Sequence, residues 1–207
     1  MTHPMADRYL YVVRHGEALP DESGLTENGR RQAVLLGQRL RTAGISFIHH
    51  GPLARAAQTA QLIGEQLGGA DLRVAEAAGD YPPHLPDSDE LPPESADFVE
   101  FLELFGPEER ELGPALARQA LELFTGPVAG PQARHELVVT HNFLVAWLVR
   151  DAMAAPKWRW LGLNHCNAAL TIIRYEPGRP ATVLFYNDMR HLPAELRWTG
   201  FPPELRV

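Results

Sequence analysis

Tyr9-Leu10-Tyr11-Val12-Val13-Arg14-His15-Gly16-Glu17 is the stretch on which the reading of this chain turns. Its first five residues are short, apolar and rich in β-formers, which predicts a buried strand. The four that follow are polar, with a glycine among them. Arg14 has no packing reason to sit at a strand end. His15 by itself reads equally well as a structural histidine. With Arg14 before it and the permissive backbone of Gly16 after it, it suggests an anion site holding a nucleophile or a base.

Further along, Thr26 is placed to cap a helix running to about Gly44, with Ala33, Leu36, Gly37 and Leu40 on one face. Ile45 to Ile48 reads as a second strand. Pro52 suits the first turn of a second helix, whose inner face carries Ala56, Ala60, Ile63 and Leu67 and which Gly68-Gly69 ends. Glu136 to Thr140 reads as a strand, followed by a helix from about Asn142 to Arg150. Ala168–Tyr175 and Ala181–Tyr186, separated by the turn Pro177-Gly178, predict a C-terminal hairpin. Strand–helix alternation at both ends implies an α/β fold: a three-layer sandwich, mostly parallel in its central sheet, with helices on both faces.

Such sheets bind ligands beyond the carboxyl ends of their strands. That edge should therefore gather Arg14-His15-Gly16-Glu17, His49-His50-Gly51-Pro52 and His141-Asn142. Arg55, in the first turn of the second helix, is either a solvated charge or a phosphate clamp where free N–H groups already favour an anion.

The middle of the chain differs in kind. Five prolines between Asp80 and Pro93 exclude a regular helix or a central strand there. Short helices are expected around Phe98–Phe105 and over Leu116–Phe124, and a loop over Gly126–Gly130. From Glu76 to Glu111 there are twelve acidic residues against one basic, Arg110, a local charge of −11. The whole chain carries −7, so the remainder carries +4. A charge of this sign argues against a general nucleic-acid binder.

The 207 residues suit one domain, 1–207, with an acidic cap-like insertion over about 76–124. At 45% hydrophobic and 22% charged the composition is globular. No stretch reaches the roughly 20 apolar residues that span a bilayer, and Met1 to Arg8 carries no signal-like apolar run. A single cysteine, Cys166, excludes an internal disulfide and a cysteine-rich metal site, so a cytoplasmic location is expected.

Arg14-His15-Gly16-Glu17, Leu25-Thr26-Glu27-Asn28-Gly29-Arg30-Arg31-Gln32-Ala33, Pro52-Leu53-Ala54-Arg55-Ala56-Ala57-Gln58-Thr59-Ala60 and Val138-Val139-Thr140-His141-Asn142 stand in this order. Together they resemble the histidine phosphatase superfamily, the phosphoglycerate-mutase-like fold, over Tyr9 to roughly Tyr186. Leu163-Asn164-His165-Cys166-Asn167, Asn187-Asp188 and His191-Leu192-Pro193 look most similar to the branch containing mitochondrial serine/threonine protein phosphatases of this fold. The resemblance implies a phosphomonoester hydrolase in which His15 is the nucleophile and carries a phosphohistidine. It implies that Arg14, Arg55 and His141 complete a phosphate pocket, with Asn142 offering its backbone N–H, and that neither metal nor cofactor is needed. It also implies a carboxylic acid that protonates the leaving oxygen. Val74-Ala75-Glu76 matches the family's placement of that acid, with Asp80 as rival and Glu17 a distant third. Facing a phosphoryl dianion, His141 is expected to be protonated.

Two alternatives remain open from sequence: a phosphoglycerate-type mutase, and a phosphoester-binding module with little turnover. Family mutases carry a longer segment between the first two motifs. Here only the seven residues Ala18 to Gly24 intervene. The expected substrate is a small phosphorylated metabolite or a phosphopeptide on a neutral or cationic carrier, because the acidic insertion repels polyanions within about 8–10 Å.

Overall fold

The computed structural model describes residues 4–206; Met1 to His3 and Val207, the ends of the expected 1–207 domain, lie outside the described residues. The strands are β1 (Met5–Ala6), β2 (Arg8–Arg14), β3 (Phe47–His50), β4 (Asp71–Val74), β5 (Val128–Ala129), β6 (Arg134–Thr140), β7 (Leu170–Tyr175) and β8 (Thr182–Asp188). The α-helices are α1 (Glu27–Leu40), α2 (Ala54–Gln66), α3 (Ala96–Glu103), α4 (Pro107–Phe124) and α5 (Asn142–Ala152).

Six strands form the main sheet in the order β4-β3-β6-β2-β7-β8. The first four are mutually parallel. β7 runs antiparallel to β2, and β8 antiparallel to β7, so the expected hairpin closes one side. β2 is central, and its alternation sorts the core. Leu10 and Val12 face one layer with Leu144, Val145 and Leu148 of α5. Tyr11 and Val13 face the other, with Leu36 and Leu40 of α1 and Ala60 and Ile63 of α2. Fully burying a Val, Leu or Ile side chain is worth about 1.5–3 kcal/mol, so a strand buried on both faces is firmly held and its end is a fixed platform.

Several boundaries differ from the sequence reading. The second strand lies over Phe47–His50, because backbone pairing with both β6 and β4 carries it through the histidines. His49 packs edge-on against Phe124, and neither histidine follows the strand. Helix α2 begins at Ala54 after an extended Leu53, which leaves Pro52 before the helix and not in its first turn. Helix α1 stops at Leu40, short of Gly44. The Gly126–Gly130 loop contains β5, which pairs antiparallel with β1 outside the main sheet.

Helix α4 is twice the length expected. It starts at Pro107 and passes through Gly113-Pro114, ahead of the Leu116 start expected from sequence. A Cβ at Gly113 would lie 2.2 Å from the Pro82 carbonyl oxygen, so only glycine lets the proline-rich loop lie against the helix. The acidic segment thereby joins the α5 layer. Its Tyr81, Leu102, Ala117, Ala120 and Phe124 enter the core on that face.

Candidate active site

The parallel strands β2, β3 and β6 end at Arg14, His50 and Thr140, along one edge of the sheet. The His15 N–H donates to the Thr140 carbonyl (2.9 Å), and the Gly51 N–H to the Val139 carbonyl (3.1 Å), so the three strand exits are tied together. The N-terminus of α1 fixes the loop after β2. Thr26 caps this helix through Gly29 N–H, and a Cβ at Gly16 would lie 2.5 Å from the Gly29 carbonyl oxygen. A Cβ at Gly29 would in turn lie 2.1 Å from the Glu17 carbonyl oxygen, so both positions require glycine. Gly16 N–H donates to Thr59 Oγ1 (3.0 Å) and Glu17 N–H to Gln32 Oε1 (2.8 Å), so α2 and α1 grip the loop from either side.

Four side chains far apart in sequence converge here. Arg14, His15 and His141 line one cleft of about 410 Å³, and Arg55 joins Arg14 and His15 in a second beside it. The rings of His15 and His141 have centroids 5.0 Å apart. Arg55 Nε donates to His15 Nε2 at 3.2 Å. His15, Arg55 and His141 are 6%, 5% and 1% exposed, so their interactions act in a weakly screened interior.

His15 Nδ1 lies 2.7 Å from the Gly16 carbonyl oxygen. A carbonyl only accepts, so Nδ1 carries the proton and Nε2 presents a lone pair. Burial holds the imidazole well below its usual pKa, and the neighbouring His141, Arg14 and Arg55 act in the same direction. His15 is therefore neutral at physiological pH.

His141 ends β6 and caps α5, whose first residues Asn142 and Phe143 also line the cleft. The positive end of that helix dipole thus faces the imidazoles. Both nitrogens of His141 are buried without a hydrogen-bond partner. Such groups are rare in proteins and mark places where another polar group belongs. Burial, then Arg55 and Arg14, push His141 down to about 3. These surroundings favour its neutral form.

The carboxylates are placed differently from the sequence reading. Glu76 is exposed and lines an adjoining cleft with Leu112 and Leu116 of α4, which Asp80 also borders. It is not among the side chains lining the histidine cleft. Asp80 is: its Oδ2 lies 2.9 Å from Arg55 Nη2 and 3.4 Å from His141 Nδ1. Burial raises its carboxyl above the ordinary value, against the lowering pull of Arg55. The family pattern pointed to a residue after an extended piece. The three-residue 3₁₀ turn Glu76–Ala78 then carries the chain past the sheet edge before a carboxylate reaches it. Glu17 lines the cleft beside Arg55, and its Oε1 accepts from Thr26 Oγ1 at 2.7 Å.

Further parts of the site carry no sequence signal. Glu22 Oε2 accepts from Arg55 Nη1 at 2.9 Å, reaching in from an exposed turn. Arg14 Nη1 donates to the carbonyls of His165 (2.8 Å) and Gly200 (2.6 Å). Asn167 Nδ2 donates to the His15 carbonyl (3.0 Å). Asn142 spends its side chain on the loop, with Oδ1 accepting from His165 N–H at 2.7 Å.

A histidine phosphatase superfamily (branch 1) model matches residues 10–188. Serine/threonine-protein phosphatase Pgam5, mitochondrial, of Caenorhabditis briggsae is 27% identical over 195 residues, covering 90% of this chain and 65% of that protein. The chain thus spans about two thirds of that relative's length. Two crystal structures share the fold. Phosphoglycerate mutase of Plasmodium falciparum gives a TM-score of 0.61 at 19% identity, over 91% of this chain and 96% of that one. A phosphoserine phosphatase mutant of Entamoeba histolytica, in complex with phosphoserine, gives 0.63 at 17%, over 90% and 100%.

Proposed function

The chain belongs to the histidine phosphatase superfamily (branch 1), and on that premise we propose that it hydrolyses phosphomonoesters through a phosphohistidine on His15, without a metal ion. One observation carries the reading: a neutral imidazole, protonated on Nδ1, turns its Nε2 lone pair toward Arg55, whose Nε donates to it, beside a second buried imidazole whose nitrogens have no hydrogen-bond partner. A tetrahedral anion among Arg14, Arg55 and His141 completes that arrangement.

The chemistry follows from the charges. Phosphoryl transfer needs positioning and stabilisation of charge on the equatorial oxygens. Two guanidinium groups, the α5 N-terminus and an N–H of His141 supply it in place of a metal. His15 Nε2 attacks phosphorus, and the bond from phosphorus to the ester oxygen breaks. The leaving oxygen takes a proton from Asp80, which we propose as the general acid in place of Glu76. A carboxylate beside a dianion favours its protonated form, and burial already raises this one. Water then attacks the phosphohistidine, giving its proton to the Asp80 carboxylate. The P–N bond breaks, its electron pair returns to Nε2, and phosphate leaves. Splitting one displacement into two lowers each barrier.

Turnover as a hydrolase is favoured over mutase activity by the lining of the clefts. Among the described residues around the histidines and Arg55, the guanidinium groups are those of Arg14 and Arg55, and both serve one phosphate. A bisphosphate would meet Glu17, Glu22 and Asp80. A cytoplasmic location remains a proposal resting on the unpaired thiol of Cys166; among the described residues, no helix is long and apolar enough to cross a membrane. The reading is tested by 4-nitrophenyl phosphate turnover in excess chelator. Wild type is expected to be active and unaffected by the chelator, and His15→Ala inactive. Binding of phosphate without turnover would make the chain a binding module. Faster phosphoryl transfer between phosphoglycerates than hydrolysis would make it a mutase.

A further inference from the structure

Another cleft, of about 470 Å³, opens off the histidine cleft and has no part in the chemistry above. Phe143, Asn142, Asn164 and Pro202 line both, so a group leaving the phosphate site on that side enters it directly. Its walls are aromatic: Phe98 and Phe101 from α3, Trp160, and Phe143 itself. Phe143 braces Trp160 and Phe101 edge to face. Phe143 lies 5.3 Å from Trp160 and 5.8 Å from Phe101, centroid to centroid. The pocket is therefore preformed, and little side-chain entropy is lost on filling it. Phe98, Phe101 and Phe143 are only half-buried, so an apolar surface is held open next to a catalytic centre. The charged residues lining it, Asp97 and Glu204, are both acidic, which disfavours a second phosphate or a carboxylate there.

Resting on the proposed hydrolase reading, we infer that this cleft seats the alcohol portion of the substrate, and that this alcohol carries an aromatic ring. The substrate class is a monophosphate ester of an arylalkyl or aryl alcohol, with no second anion. An aromatic ring entering this cleft, which Phe98 and Phe143 both line, finds faces and edges for offset and T-shaped contact. A pocket of this size and lining is ordinary for a small-molecule site. The phosphate is then held by cations and the carrier by aromatics, so the first interaction supplies rate and the second supplies choice.

The test separates binding from turnover. Calorimetry on the full chain compares 3-phenylpropylphosphonate with propylphosphonate, neither of which can be hydrolysed. Burial of one ring predicts about 30-fold tighter binding of the phenyl compound. In Phe98→Ala that ratio is expected to fall below about 5-fold. The matching esters, 3-phenylpropyl and propyl phosphate, have leaving groups of similar basicity, so their kcat/KM ratio should follow the same order. A phosphonate ratio near one, or no binding of either compound, overturns the inference whatever the turnover. A preserved ratio with no hydrolysis of either ester would sink the hydrolase reading and leave the aromatic site standing. If Phe98→Ala does not fold, the wild-type ratio still decides.

Discussion

Asp80 places Oδ2 2.9 Å from Nη2 of Arg55, so the guanidinium that should clamp a phosphate is gripped by a carboxylate of the same chain. The same oxygen lies 3.4 Å from His141 Nδ1. Asp80 therefore occupies the side of the pocket where a phosphoryl oxygen would sit. A dianionic phosphate can share that space only if the carboxyl is protonated or swings aside, and a protonated carboxyl beside the ester oxygen is a proton donor.

Replacing Asp80 should discriminate among substrates. General acid catalysis contributes about 10²–10⁴-fold. Asp80→Asn is expected to lower kcat/KM for propyl phosphate about 100-fold or more. For 4-nitrophenyl phosphate, whose leaving group needs no proton, the loss should stay within about 5-fold. Glu76→Gln should leave both within about 3-fold. A leaving-group-dependent loss in Glu76→Gln, without one in Asp80→Asn, would restore the assignment made from sequence.

Glu22 holds the other Nη of Arg55, and its side chain is 68% exposed. An exposed carboxylate is well screened, so the effect of removing it is modest. Glu22→Gln should tighten inorganic phosphate binding a few-fold and lower KM without lowering kcat. Unchanged binding, measured by calorimetry at low salt, would show that Glu22 does not compete for Arg55.

Burial lowers the pKa of His15. A group with a lowered value keeps its neutral, nucleophilic form as pH falls. After correction for substrate ionisation, kcat/KM is expected to stay level from pH 7 to 5.5. An imidazole titrating at its ordinary value near 6.5 would lose roughly 8–10-fold across that interval. A loss of that size would show His15 to be solvated and the site differently packed.

The same depression sets acid stability. His141 and His165 are pushed down to about 3, both by burial first. Between about pH 6.5 and 3 the unfolded chain binds these protons and the folded one does not, so stability rises with pH through this interval and is lost as pH falls through it. Between pH 7 and 5 each should cost about 2 kcal/mol, before any contribution from His15. Urea unfolding at the two pH values measures the difference. Equal midpoints would mean that the histidines are protonated in the folded state.

The sheet edge was legible because the histidine and arginine motifs sit where β-rich runs stop, at Val13-Arg14 and Thr140-His141. Thr26 and the Leu36–Leu40 spacing announced α1 as plainly. The parts that were not legible depend on contacts distant in sequence. Gly200 meets Arg14 across 186 positions, and Asn167 meets the His15 carbonyl across 152. Neither has a local pattern to betray it. Glu76 and Asp80 are four residues apart, and the turn between them decides which one reaches the arginine; spacing alone does not fix such a turn. The first half of α4 was missed likewise: the reason for Gly113, the Pro82 carbonyl, lies in another segment.

Trapping the covalent intermediate is the most direct test of the account. Wild-type protein mixed with radiolabelled phosphomonoester and quenched in denaturant within one turnover should retain label. That label should be stable to alkali, released by mild acid, and mapped to the peptide carrying His15. The result that would contradict the account is turnover without any trapped label, or label that persists in His15→Ala.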